Sequence, residues 1–409
     1  MSKKTAILLG GNALSQGIID KFRENNLKAV VIDWREKLDL DYDLHIKADA
    51  KSLEIIEVLD NYSLKDVNLV YTSMDNAGLA LRALCKKFKL LHSSEESILN
   101  ASSKDLMKRK WVEKKLFTRI SYTLEKLDLE KIEKLNKNYK LIIKPCISCA
   151  SRGITILTLN SSVEKIQEAY NKAEEESANK KVVVEEFVEG IEHTVEMLGD
   201  NFGNVAVYGI SRKYHTQNTI NNKVAVKLHY NSIECTDNFQ KELANFAIEC
   251  YKALGLKNSL GHFEVLLKND GSFEPVEIGS RSSGFIASHL VDITSGRGFL
   301  TDYMQVLNGE KITNGLIEQT NLSSMYYFYD IPKHSTSKKK TNLMEYINPQ
   351  IQSLYHSRDK LLPDMQYGMI HSDTERVGYE ILKGPRNTLT IEEVNRAESI
   401  FIENFLERN

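Results

Sequence analysis

Residues 262–281 read HFEVLLKNDGSFEPVEIGSR, two apolar runs around Asn269-Asp270-Gly271. An Asp-Gly pair between such runs is the preferred two-residue hairpin turn. With Asp270 and Gly271 in the loop, paired positions sum to 541, which sets Glu264 directly across from Glu277. Like charges directly opposite each other destabilise a sheet. A cation between them reverses the sign of that contact, and two hard oxygen ligands suit Mg²⁺ held together with substrate phosphates. The competing reading is a solvated acidic pair on an exposed sheet face, and the rest of the chain has to decide.

Upstream, LIIKP (141–145) is an apolar run that puts the Lys144 ammonium at a sheet edge. Ser148, Ser151 and Gly153 follow within nine residues, a loop of small residues whose hydroxyls and N–H groups can fold over phosphates. A strand-ending lysine before a polar turn is the plainer alternative. VVVEEFVEGIE (182–192) gives a strand whose end can offer backbone groups to an adenine edge and a carboxylate to ribose hydroxyls. Arg281 lies four residues beyond Glu277, where its planar fork can reach a phosphate or a developing oxyanion. His262 and His289 flank this region and read as packed or hydrogen-bonded histidines.

A chain of 409 residues implies two to four domains. With 42% hydrophobic residues and 6 prolines it is globular throughout. Basic and acidic side chains nearly cancel (54 against 56), so nothing indicates bulk attraction to nucleic acid or membrane. Lys338-Lys339-Lys340 reads as a solvated loop. The N-terminal MSKKTAILLGGN is too short in its apolar part for a signal segment and reads as a buried first strand. Five cysteines give no disulfide framework, which fits a reducing cytoplasm.

Residues 5–10, 28–33 and 69–73 are β-rich runs alternating with helical patterns near 14–24 and 77–85, so residues 1–95 read as an α/β domain with a small parallel sheet. A helix is expected over 103–116, after Ser102-Ser103 as cap residues. Residues 115–188 read as a compact α+β subdomain, followed by strands over 192–232 and a helix over 238–254. After Gly309 the composition turns polar, and a strand–helix portion (376–407) closes the chain.

Two further motifs carry less. Gly10-Gly11 and Gly17, with Asp33 ending the second strand, lack the glycine spacing of a dinucleotide fingerprint. Cys146 and Cys149 form a C-x-x-C with no second ligand pair, which argues against zinc or redox use.

Taken in order, these pieces resemble an ATP-grasp enzyme over about residues 1–310: a small α/β domain, Lys104 in a Ser-Lys-Asp helix start, Lys144, the small-residue loop, the 182–192 strand, and two glutamates with an arginine beyond. The resemblance implies an N-terminal Rossmann-like domain, an ATP-grasp domain over 96–310 with a lid subdomain over 115–188, and a portion over 311–409 that completes or follows it. It implies ATP held between two α+β subdomains. Lys104 and Lys144 would contact phosphates, and Ser148, Ser151 and Gly153 would close over them. Glu185 and Val188 would sit at the adenine hinge and Glu192 at the ribose. Glu264 and Glu277 would hold Mg²⁺, or Mn²⁺ in its place, and Arg281 would steady the transferred group.

Family members commonly carry Asn two residues after the second glutamate, where this chain has Gly279. The EIG-x-R ending looks like that of amino-acid ligases. The implied reaction is ATP-dependent joining of a small carboxylate to an amine through an acylphosphate. A bicarbonate-dependent carboxylase and a non-catalytic ATP-binding protein are the alternatives. Neither substrate is identified by the sequence. Arg212, Lys213, His215 and His229 are candidates to face an acidic group, and the resemblance leaves a homodimer open.

Overall fold

Alternating β-branched and apolar residues at the start of the chain build a four-stranded parallel sheet. Lys4–Leu9 lies between Leu27–Asp33 and Val67–Thr72, with Leu44–Lys47 outside Leu27–Asp33. Helix Ser15–Glu24 connects the first two strands and helix Gly78–Lys87 follows the last, together burying Ile18, Ile19, Phe22, Ala80 and Leu84. The computed structural model describes residues 4–12, 14–148, 152–216, 224–284, 287–370 and 375–406. The edge strand Leu44–Lys47 has no counterpart in the sequence reading, because only Ile46 of its four residues is fully buried.

A second, antiparallel sheet follows in the order Ser121–Leu124, Val182–Glu186, Leu141–Pro145, Thr155–Leu157. One face is covered by helices Leu129–Asn136 and Val163–Glu176. The latter starts at Ser162, whose side chain accepts from the Lys165 N–H, and buries Ile166, Ala169, Tyr170 and Ala173 at helical spacing. Together with Ile132, Leu141 and Ile143 they form a core of their own.

The largest sheet has nine strands and runs Phe273–Gly279, Ser259–Leu267, Ile191–Gly199, Val205–His215, Ala225–Tyr230, Leu322–Phe328, Tyr379–Pro385, Gln352–Ser357, with Gly315–Leu316 beside Val205–His215. Residues beyond 311 thus supply four of its nine strands. Helix Asp237–Ala253 packs on one face against Val195, Met197 and Phe263. On the other, helices Ala287–Ser295 and Phe299–Leu307 share a continuous core with the N-terminal sheet. Ile391–Phe405 closes the C-terminal strands through Phe401 and Phe405.

The hairpin that opened the sequence reading has the expected pairing and an unexpected turn. Glu264 is opposite Glu277. The loop, however, holds three residues: Lys268 donates its N–H to the Ser272 carbonyl at 2.9 Å, and Gly271, at φ 83°, donates to the Lys268 carbonyl at 3.0 Å. That glycine conformation is what a three-residue hairpin loop with a bulge demands. Next to the turn the register is Leu267–Phe273, one short of the expected sum. A β-bulge between Glu264 and Val265, with Val276 as the extra residue, restores it. The two departures cancel at the glutamates.

Candidate active site

The antiparallel sheet stands over one end of the nine-stranded sheet, and a cavity of about 200 Å³ opens between them. Ile142, Lys144 and Ile156 line it from above, and Glu192, Glu264 and Val276 from below. Val188 and Phe187, in the segment joining the two sheets, also line it. Apolar walls with a few convergent charges are the usual make-up of a small-molecule site.

Lys144 ends its strand nearly fully buried, with Nζ 2.7 Å from Glu185 Oε2. Burial pulls this ammonium below its usual range, and Glu185 offsets that only in part. Glu185 itself is buried, yet Lys144 and its neighbouring cations hold its carboxyl well below the usual carboxylate range. Arg119 Nη2 lies 3.2 Å from the same Glu185 oxygen, and its Nε lies 3.3 Å from Glu274. The Glu185 side chain is therefore spent on cations, while Val188 lines the cavity.

Glu192 accepts from Lys213 and lies 2.9 Å from His215 Nε2. Burial raises its carboxyl, but Lys213 and His215 outweigh this and hold it well below the usual range. The same Lys213 Nζ is 2.8 Å from Glu264 Oε1. Lys104, at the start of helix Lys104–Glu113, sits 2.9 Å from Glu277 Oε2. Each member of the opposed glutamate pair therefore has its own lysine, which is how the like charges are tolerated. His262 Nδ1 lies 2.7 Å from Glu196 Oε1 and its Nε2 3.7 Å from Glu264. Although burial lowers an imidazole, Glu196 pushes His262 up to about 9.

Ser148, Lys104, Glu277 and Asp75 line a smaller cavity at the N-terminal domain. The buried Ser148 hydroxyl has no hydrogen-bond partner among the described residues. Arg281 pairs with Asp75, and its Nη1 donates to the Ser282 carbonyl at 2.8 Å. Gly279 lies against this arginine: a Cβ there would meet Arg281 Cγ at 3.2 Å, so a side chain at this position would need the arginine to shift. Gly153, at φ 70°, lies where a Cβ would strike Glu176 and Pro145 at 2.9 Å. Ser151 and Cys149 lie outside the described residues.

Arg119, Asp75 and Lys108 were not visible as site residues in the sequence, because no local motif marks them. Lys213 was singled out as a partner for an acidic group, and the acids it meets are Glu192 and Glu264. Arg212 pairs with Glu234, while burial lowers His229 to about 3. The first glycine loop offers nothing to a ribose: Asp33 accepts from the Gly11 N–H at 2.9 Å and from Arg35 Nε at 2.9 Å. Cys146 is fully buried, with Ser103 Oγ 3.4 Å from its sulfur.

Among the described residues no group of three or more His, Cys, Asp or Glu could hold a metal ion. Two carboxylates alone still fit Mg²⁺, which takes one or two from the protein and the rest from phosphate and water. No helix among the described residues is long and apolar enough to cross a membrane.

A lid-like antiparallel sheet over a larger sheet, with lysines and acidic pairs in the cleft, defines an ATP-grasp architecture. Residues 137–289 match the ATP-grasp domain family, and the chain has the ATP-grasp fold. It is similar to the crystal structure of an L-amino acid ligase from Bacillus licheniformis, with 16% identity and TM-score 0.71 over 100% of this chain and 99% of that one. It is also similar to N5-carboxyaminoimidazole synthase from Aspergillus clavatus in complex with ADP and 5-aminoimidazole ribonucleotide, with 15% identity and TM-score 0.70 over 98% of each chain. A biotin carboxylase from Campylobacter jejuni matches at 17% identity and TM-score 0.67, over 94% of this chain and 88% of that one. No curated protein matches the chain in sequence.

Proposed function

We propose that the protein is an ATP-dependent carboxylate–amine ligase acting on small molecules, amino acids first among them. The observation that carries this reading is the opposed Glu264–Glu277 pair, each glutamate neutralised by a separate lysine at the mouth of a lidded cavity. Two carboxylates held opposite each other beside lysines that can also meet phosphates are placed to take up a cation that arrives with the substrate. The similarity to an L-amino acid ligase along the whole chain supports the amine acceptor.

In this reading the adenine lies against Val188 and the lid residues Ile142 and Ile156, with Glu192 on the ribose. Lys144, Lys104 and the Ser148 hydroxyl face the phosphates. Glu264 and Glu277 hold Mg²⁺, which supplies charge neutralisation at the phosphates when bound. Arg281 turns from Asp75 to the carboxylate as charge develops during phosphoryl transfer. A substrate carboxylate oxygen attacks the γ-phosphorus, the bond to the β,γ-bridging oxygen breaks, and ADP leaves. The amine nitrogen then attacks the acyl carbon, phosphate departs, and the amine proton passes to solvent. Positioning and charge compensation supply the rate, as in phosphoryl transfer generally.

The test is ADP release against amino acids and other carboxylates, alone and in pairs, with mass spectrometry of the products. ADP formed stoichiometrically with an amide supports the reading. ADP release that needs bicarbonate and no amine would replace it with a carboxylase.

A further inference from the structure

Strand Phe273–Gly279, which carries Glu277, is an edge strand, bonded on one side only to Ser259–Leu267. Its outer backbone groups would lie open, and the bulge at Val276 breaks the ladder on the inner side as well. Helix Lys104–Glu113 lies along that edge and takes the place of a strand, using side chains. Met107 Sδ accepts the Ile278 N–H at 3.4 Å. Lys108 Nζ donates to the Val276 carbonyl at 2.6 Å and to the Pro275 carbonyl at 3.2 Å. One turn earlier, Lys104 reaches Glu277. Residues 104, 107 and 108 share one helix face, so a single helix grips four consecutive strand residues.

Lys108 is an unusual residue for this position. It is 4% exposed, packs 4.9 Å from the Trp111 ring centre and 4.6 Å from that of Phe117, and has no carboxylate within ion-pair distance among the described residues. Burial drives its amine well below the usual lysine range. Its donors go to the Pro275 and Val276 carbonyls on either side of the bulge, the first of which also accepts from Arg119 Nη2 at 3.4 Å.

We propose that Lys108 is a positioning residue for the metal pair: it clamps the Pro275–Val276 bulge and so fixes the register that sets Glu277 opposite Glu264. This rests on the assignment of those glutamates as the divalent-metal ligands. Groups that orient metal ligands from outside typically carry ten- to a hundredfold in metal affinity.

The experiment is Mn²⁺ titration, followed by electron paramagnetic resonance, of the full chain saturated with a non-hydrolysable ATP analogue. Lys108→Met keeps the buried stem and removes the donors. It is expected to weaken Mn²⁺ binding at least about tenfold while analogue affinity without divalent metal changes less than about twofold. Arg109→Ala, which removes the exposed Asp105 ion pair of the same helix and leaves Lys108 in place, is expected to leave Mn²⁺ affinity unchanged. Lys108→Arg, with donors retained, is expected to stay within about threefold of wild type and decides the matter if the methionine variant does not fold. Unchanged Mn²⁺ affinity in Lys108→Met, an equal loss in Arg109→Ala, or a tenfold loss in Lys108→Arg overturns the proposal. Failure of the wild type itself to bind Mn²⁺ would refute the metal assignment instead, so the two failures are distinct.

Discussion

Replacing Glu185 with glutamine is expected to destabilise the protein at least twice as much as replacing its partner Lys144 with methionine. The asymmetry follows from who is left behind. Glu185 Oε2 is 2.7 Å from Lys144 and 3.2 Å from Arg119, all three side chains at most 6% exposed. Without Lys144, the carboxylate keeps Arg119, and the loss is that of one charge-assisted hydrogen bond, about 2 kcal/mol. Without the Glu185 charge, Arg119 still has Glu274 at 3.3 Å, but Lys144 has no second carboxylate within ion-pair distance among the described residues. A stranded ammonium can shed its proton, which caps the cost: taking a lysine from about 10.4 to pH 7 is about 4–5 kcal/mol. Breaking a buried pair from one side falls in the same range, about 3–5 kcal/mol. Urea denaturation at pH 7, followed through the buried Trp111, measures both variants. Because Glu185 titrates below the usual carboxylate range, its contribution is present above that range and is lost only as pH falls through the depressed value. Lys144→Met proving as costly as Glu185→Gln, or costlier, would refute this account of the cluster.

Gly279→Asn should force Arg281 off its present path, since a Cβ there meets three arginine atoms at 3.2–3.3 Å. Arginine is flexible, so the melting temperature should change by no more than about 2 °C, while ADP formation falls at least about tenfold; full activity in that variant would contradict the role given to Arg281. His262 rises from 6.5 to about 9, so its stabilising pairing with Glu196 is complete below pH 6.5 and is lost as pH climbs through about 9. His262→Gln should therefore cost about 3 kcal/mol at pH 6 and much less at pH 10. A gap that does not vary with pH would show that His262 is not held protonated.

The sequence made the fold legible wherever one local rule governed an element. Apolar periodicity located helices near Ser15–Glu24, Gly78–Lys87 and Asp237–Ala253 to within about two residues. The glutamate register was also legible, but through two compensating differences. Three-residue loops and bulges use the same Asn-Asp-Gly composition as a two-residue turn, and a bulge leaves no mark in a strand pattern. The C-terminal contribution was not legible. Leu322–Phe328 joins the sheet from more than 90 residues beyond its partner Ala225–Tyr230, and Tyr379–Pro385 then pairs with Leu322–Phe328; sequence spacing says nothing about such pairing. Arg119, Asp75 and Lys108 are likewise defined by what they meet across the fold rather than by their neighbours in the chain.

The account turns on Glu264 and Glu277 as a metal pair in a phosphoryl-transfer site. ADP formation by Glu277→Gln, measured with whichever carboxylate and amine the wild-type enzyme turns over, tests it most directly. The account predicts a loss of at least about a hundredfold, with far-ultraviolet circular dichroism unchanged. Undiminished ADP formation in a folded Glu277→Gln protein would contradict it.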